Sequence, residues 1–247
     1  MRSLVRDRKI NKKKKIYFKN NKILNRYKKN LNYLFDWMRK LKLKKPIILD
    51  IGANIGMYSL CYSEIYPNSN IHSFEPVQKN FNTLKSNLKR NKNQLVKIYN
   101  FGLLDKKKKI KIGIPDKSIH KRYEKNINDG LFSIFAKNRV NFIKVVSLDE
   151  FVKKKKIKSI DFIKIDVEGA EGLVLEGAKK TIKIFRPIIQ LEFNKLTEVL
   201  GKKKITFFQK FARKFNYKIF YLAKNYKLKK QLNSKKSFYS DLVFLRK

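Results

Sequence analysis

Cysteine is nearly absent from this chain of 247 residues: Cys61 stands alone. An internal disulfide is therefore excluded, and the usage fits a reducing compartment. Cys61 itself reads as a small buried hydrophobe rather than a nucleophile. Histidine is almost as scarce, and His72 and His120 stand in no ligand spacing, which argues against zinc. Long apolar runs are missing too. Ile47-Ile48-Leu49 and Gly172-Leu173-Val174-Leu175 fall far short of the ~20 residues that span a bilayer, so no transmembrane segment is expected. The opening residues break their apolar positions with Arg2, Arg6, Asp7 and Arg8, unlike a secretory signal, and the expected location is cytoplasmic.

Acid is the other shortage, with 19 Asp and Glu against 62 Lys and Arg and a formal charge of +43. A field of that sign concentrates polyanions. The surplus, however, is 51 Lys against 11 Arg, alongside 27 Ile, 23 Asn and only 6 Ala, the pattern left by AT-rich codons. Proteins that read phosphate commonly use the bidentate arginine fork, which this chain hardly employs. The charge therefore reads mainly as compositional, and nucleic acid is the less favoured partner. Weak adhesion to acidic membranes or RNA at low salt still follows from Coulomb attraction.

With 43% hydrophobic residues, the chain can bury the core of one α/β domain. Residues 1–45 lack glycine and proline, and Ile23, Leu24, Tyr27, Leu31, Leu34, Phe35, Met38 and Leu41 recur at helical spacing. They predict a basic helical extension laid against the domain. From Pro46 onward, short apolar runs alternate with helical segments, as in a parallel sheet with crossover helices. Strands are expected at 47–50, 70–75, 96–101, 162–166, 188–193, 218–222 and 242–245, and a helix over 57–65. Residues 109–147 interrupt the rhythm with hairpin-like pieces near 110–114, 131–135 and 142–146, an insertion over the sheet's active edge.

Asp50-Ile51-Gly52-Ala53-Asn54-Ile55-Gly56 follows the first strand as a glycine-bearing turn. Gly52 lets backbone approach a ligand, Gly56 lets the next helix pack closely, and that helix's free N–H groups suit a carboxylate. Asp50 can meet an ammonium. Glu75, closing the second strand before Pro76, can accept both hydroxyls of a ribose, which serves nicotinamide cofactors as well as S-adenosylmethionine. Ser59 occupies the place of the dinucleotide fingerprint's third glycine, which favours a nucleoside ligand without a pyrophosphate. Further on, Asp161, Asp166, Glu168, Glu171 and Glu176 gather five of the 19 acids against the chain's bias. At the strand exit, Asp166 and Glu168 are the candidate catalytic residues, able to orient an acceptor hydroxyl and take its proton. Glu168 has a rival reading as a helix cap. Asp166, Glu168 and Glu192 supply the oxygens a hard cation such as magnesium uses, but no metal is expected.

The run 48–60, Phe74-Glu75-Pro76 with Asn80 and Leu84, Ser147-Leu148-Asp149-Glu150-Phe151, the run 163–171 with Leu175-Glu176-Gly177-Ala178, and Arg186-Pro187 with Glu192 resemble the FkbM-type methyltransferases. The resemblance spans about 46–245 and divides the chain into the extension, 1–45, and a methyltransferase domain, 46–247. It implies a Rossmann-like class I methyltransferase fold: an α/β, seven-stranded, mostly parallel sheet with an antiparallel last strand. It also implies S-adenosylmethionine as donor and O-methylation of a sugar, glycan or other small hydroxylated metabolite. Asp50, Gly52, Ala53, Asn54, Gly56 and Glu75 then hold the cofactor, with Asn100 and Gly102 beside the adenine; Gly102 departs from the family's frequent alanine. Two alternatives stand beside this reading, an RNA 2′-O-methyltransferase and a non-catalytic basic protein that docks on RNA or membrane.

Overall fold

A computed structural model describes residues 4–5, 16–17, 36–114, 132–193, 195–222, 227–229 and 240–247. Most of the stripe 23–41, residue 131 of the middle hairpin piece and His120 lie outside them. At the front, β1 (Leu4–Val5) pairs antiparallel with β2 (Ile16–Tyr17), and residues 36–40 form the described end of helix α1. Trp37 and Met38 on α1 are buried in the core.

The domain then alternates strand and helix: β3 (Ile47–Ile51), α2 (Met57–Ile65), β4 (Asn70–Phe74), α3 (Gln78–Arg90) and β5 (Val96–Tyr99). A side excursion follows, in which β6 (Gly102–Leu104), β7 (Lys108–Gly113) and β8 (Arg139–Ser147) make a separate three-stranded sheet ordered β6–β8–β7. The chain returns through α4 (Leu148–Lys155), β9 (Phe162–Ile165), α5 (Glu171–Glu176), α6 (Lys179–Phe185) and β10 (Ile188–Phe193). It ends with α7 (Lys195–Val199), α8 (Ile205–Lys214), β11 (Tyr217–Leu222), β12 (Leu228–Lys229) and β13 (Ser240–Arg246).

The central sheet runs β12–β11–β13–β10–β9–β3–β4–β5. Pairing is parallel from β5 through β10, while β13 inserts antiparallel between β10 and β11. This is the expected sheet with one two-residue edge strand, β12, added. Its central strands are apolar on both faces because helices cover both. Leu49, Ile163 and Leu191 enter one core cluster, with α4, α5 and α8, while Ile48, Phe162 and Val243 enter the other, with α1, α2 and α3. Alternation along each strand sorts them.

The expected strand 96–101 ends earlier, at Tyr99. Glu75 N–H donates to Tyr99 O, and Pro76 has no N–H to continue the ladder. The Asn100 side-chain amide instead donates to the carbonyls of Glu75 and Pro76, and the chain bends away into β6.

Candidate active site

Register alone gathers the polar residues. Ser73 pairs with Asp50, Asp50 with Lys164, and Lys164 with Gln190, a row across four parallel strands on the face covered by α1 and α2. All four side chains are buried. Two positions further toward the carboxyl ends of the parallel strands, the same parity places Glu75, Gly52, Asp166 and Glu192 at the rim of the sheet, where Asp241 joins from the amino end of antiparallel β13, opposite Glu192. An acidic rim thus sits over a buried row whose ammonium is Lys164.

That ammonium donates to Asp166 Oδ2 at 2.7 Å and lies 4.2 Å from the centre of the Tyr58 ring. Burial opposes its charge, yet Asp166, Asp50 and Asp241 together hold its pKa above the ordinary lysine value. Asp50 is wholly buried, and its Oδ2 accepts from Ser59 Oγ at 2.5 Å, while Ser59 Oγ also meets Ser73 Oγ at 2.8 Å. Desolvation raises the Asp50 pKa, with Lys164 pulling the other way. Its Oδ1 is buried without a hydrogen-bond partner. Ser59, the residue that breaks the dinucleotide pattern, therefore serves as the partner of Asp50.

The glycine turn has tight steric causes. Gly52 adopts φ +85°, and a Cβ there would fall 1.8 Å from the Asp166 carbonyl oxygen. The space opened at Gly52 is filled by the neighbouring strand exit rather than held open toward a ligand. Gly56 has φ +86° and abuts Leu84 of α3, so the expected close helix packing is present. Ala53 is buried, and Asn54 takes a left-handed φ of 51° that turns its N–H onto Glu75.

Glu75 is 4% exposed and holds the turn together. Its Oε2 accepts from Asn54 N at 2.8 Å and its Oε1 from Val77 N at 2.9 Å, with the Asn80 side chain as a further donor. Desolvation nevertheless pushes its pKa up to about 7. Asn100 is exposed and engaged with the Glu75–Pro76 turn. Gly102 is buried at the start of β6, where a Cβ would come 3.1 Å from Val145.

On the other side of β3, the exit of β9 carries Asp166 and Glu168. Glu168 has φ +52°, and its carbonyl accepts from Ser133 Oγ at 2.7 Å, so the inserted segment docks on this turn as expected. The N-cap position of α5 falls to Ala170, whose side chain makes no cap. Wholly buried Glu171 does related work, its Oε1 accepting from Val167 N at 3.0 Å and Gly169 N at 3.3 Å. Its Oε2 accepts from Thr197 Oγ1 at 3.1 Å, and burial lifts its pKa to about 7.

Asp166, Glu168 and Glu192 each bring a carboxylate oxygen within 4.8 Å of the others. Burial and the surrounding charges of Asp166, Glu168, Glu171 and Asp241 raise the Glu192 pKa well above the ordinary value. Sequence reasoning joined Glu192 to the other two but gave it no catalytic role, and it overlooked Lys164 and Thr197. Lys164 was detectable as a charged residue inside the apolar run Phe162-Ile163-Lys164-Ile165.

A carboxyl-edge glycine turn, a second-strand glutamate and an antiparallel strand between β10 and β11 define a class I methyltransferase fold. Solved structures agree. The methyltransferase FkbM of Methylobacillus flagellatus KT superposes with a TM-score of 0.55 over 81% of this chain and 44% of that one, at 15% identity. SMU.1697c of Streptococcus mutans, solved in complex with SAH, superposes at 0.51 over 87% of this chain and 96% of that one, at 9% identity. The family model described as the methyltransferase FkbM domain matches residues 50–219, and the chain belongs to that family. Among curated relatives, Methyltransferase 1 of Beauveria bassiana (strain ARSEF 2860) is 27% identical, over 53% of this chain and 57% of its own. The 2-O-methyltransferase NoeI of Sinorhizobium fredii (strain NBRC 101917 / NGR234) is 24% identical, over 58% and 61%. The chain thus spans about three-fifths of the length of these relatives. Among the described residues, no helix is long and apolar enough to cross a membrane.

Proposed function

We propose that the protein transfers the methyl group of S-adenosylmethionine to a hydroxyl of a sugar, glycan or other small hydroxylated metabolite. The observation that carries this reading is the meeting of Asp166, Glu168 and Glu192 at the sheet's carboxyl edge. Carboxylates accept hydrogen bonds from hydroxyls and repel phosphate. That favours a neutral polyhydroxyl acceptor over an RNA backbone, despite the chain's net charge.

The residues present fit the donor. A carboxylate offers about four acceptor positions. Glu75 uses both oxygens on the turn, and its remaining lone pairs suit a vicinal diol. The first turn of α2 presents backbone N–H groups suited to a carboxylate. Asp50, with its unpartnered Oδ1, places negative charge beneath the turn for an ammonium, acting from within the core. Asn100 and Gly102 flank the Glu75–Pro76 turn and would be the residues beside the adenine. When bound, the donor supplies an electrophilic methyl carbon, and the protein's part is alignment and proton removal.

Calorimetry with S-adenosylmethionine tests the donor site. Glu75→Ala is expected to weaken binding about tenfold or more, the loss typical of charge-assisted hydrogen bonds. Because ionised Glu75 accepts both hydroxyls and its pKa is about 7, wild-type affinity is expected to rise between pH 6 and 8. Unchanged affinity in the variant would remove the ribose assignment. Incubation of labelled donor with fractionated glycans, small metabolites and RNA tests the acceptor class, and label confined to RNA would overturn it.

A further inference from the structure

Three carboxylates face one small volume, but their situations differ. Asp166 Oδ2 is committed to the Lys164 ammonium at 2.7 Å, and Lys164 is 3% exposed. A proton added to that oxygen would break a largely buried ion pair, an arrangement that tolerates the loss of one charge poorly. Glu168 rides a left-handed turn whose carbonyl is held by Ser133 of the inserted segment. Glu192 sits instead on a paired strand, fixed between Ile165–Leu191 pairing on one side and its own pairing with Asp241 on the other. Its Oε2 is buried and has no hydrogen-bond partner. A buried acceptor without a donor is a place where an incoming O–H gains most.

Resting on the O-methyltransferase reading, we propose that Glu192 is the general base, taking the proton of the acceptor hydroxyl at Oε2 while Asp166 and Glu168 orient that hydroxyl. The acceptor oxygen forms its bond to the methyl carbon as the carbon–sulfur bond breaks and its electron pair returns to sulfur. The hydroxyl proton passes to Glu192. The products are a methyl ether, a neutral thioether and a protonated glutamic acid, which then releases its proton to solvent.

The surroundings give Glu192 the proton affinity this role requires. Desolvation raises its proton affinity most, and the carboxyl groups of Asp166 and Glu168 from the β9 exit, Glu171 from α5 and Asp241 from β13 act in the same direction. Lys164 faces the same rim from the row beneath, with its charge divided among Asp166, Asp50 and Asp241. A carboxyl group so placed is a stronger base than an ordinary glutamate, and a positioned base of this kind contributes about 10²- to 10⁴-fold to a rate.

The experiment uses the full chain, tritiated-methyl S-adenosylmethionine, and a panel of free monosaccharides and methyl glycosides as acceptors. Glu192→Gln preserves shape and is expected to bind the donor within about twofold of wild type in calorimetry, while single-turnover transfer falls about 10²- to 10⁴-fold. Glu192→Ala is expected to regain part of that rate with added formate, a rescue that a structural role would not show. Independently of activity, ¹³C NMR with δ-labelled glutamate, assigned by the signal missing from Glu192→Gln, should show Glu192 titrating well above an ordinary glutamate. An active wild type whose Glu192→Gln variant keeps its rate and pH profile overturns the assignment, and so does an ordinary Glu192 midpoint. A wild type that binds donor but methylates no sugar in the panel overturns the sugar-acceptor reading and this assignment together.

Discussion

Lys164 has no room for error. It lies 3% exposed between Asp50 and Asp166, each of which relies on it for neutralisation. Lys164→Met keeps the stem and removes the ammonium, leaving two carboxylates on one buried face. Breaking a buried pair from one side typically costs about 3–5 kcal/mol. The urea midpoint of Lys164→Met is expected to fall accordingly, with Lys164→Met/Asp166→Asn recovering part of the loss. Among 51 lysines, only its place inside the apolar run 162–165 marks this one, and its partners emerge once β9 is set in register with β3 and β10. Glu75 was legible because a carboxylate before proline at a strand end is locally distinctive. Gly52 was legible as a glycine but not in its cause, since the group it yields to, the Asp166 carbonyl, is more than a hundred residues away.

At the level of elements, the proposed acceptor side depends on a joint among three segments. Glu171 of α5 holds the 167–169 turn by two backbone N–H groups, and Thr197 of α7 reaches Glu171 Oε2 and lies 3.3 Å from the Glu192 carbonyl. Thr197→Val leaves the buried Glu171 oxygen without that donor, which typically costs about 1–3 kcal/mol. The amides of Val167 and Gly169 are expected to exchange hydrogen faster in the variant, while those of β4 keep their protection. Exchange mass spectrometry reads both. Elements with strong apolar patterning were readable from the sequence: α2 and β10 have the boundaries their periodicity predicts. Val96–Tyr99 was overextended because Phe101 continues the apolar pattern, whereas the Asn100–Pro76 contact that ends the strand is non-local. The joint made by Glu171 and Thr197 was unreadable for the same reason, since the two residues meet only after α5, β10 and α7 have packed.

For the whole molecule, buried acids set an unusual dependence on pH. Glu75 and Glu171 have pKa values near 7 and Asp241 near 6, all above their ordinary values, so the folded chain binds more protons than the unfolded one across this range. Their contribution to stability is full below the ordinary carboxylate range and is lost as pH rises through about 7. His72, desolvated and held near 4, acts oppositely between about 4 and 6.5. Three raised carboxyl groups, with Glu192 in the same direction, outweigh one histidine. Without donor, the melting temperature is expected to decline from pH 5.5 to 8 at constant ionic strength. S-adenosylmethionine, cationic at the rim, should flatten that slope by favouring the ionised acids. Calorimetric scans at several pH values check both expectations. A parallel sheet with crossover helices followed from strand–helix alternation and its antiparallel last strand from the family resemblance, whereas this charge layout depends on side-chain parity across five strands.

The same layout has a consequence for inheritance. The residues proposed for the donor lie between Asp50 and Gly102, while those proposed to face the acceptor, Asp166, Glu168 and Glu192, come later in the chain. A genetic exchange near codon 102 would carry the donor half nearly whole into a new lineage and replace the selectivity half in one step. Among the couplings that cross that boundary at the centre of the sheet, beside the backbone pairing of β3 with β9, are the Asp166 carbonyl against Gly52 and the Lys164 charge beside Asp50. Chimeras that keep the β3–β9 register together with these two side contacts are the ones in which a new acceptor preference can be grafted onto an old donor site.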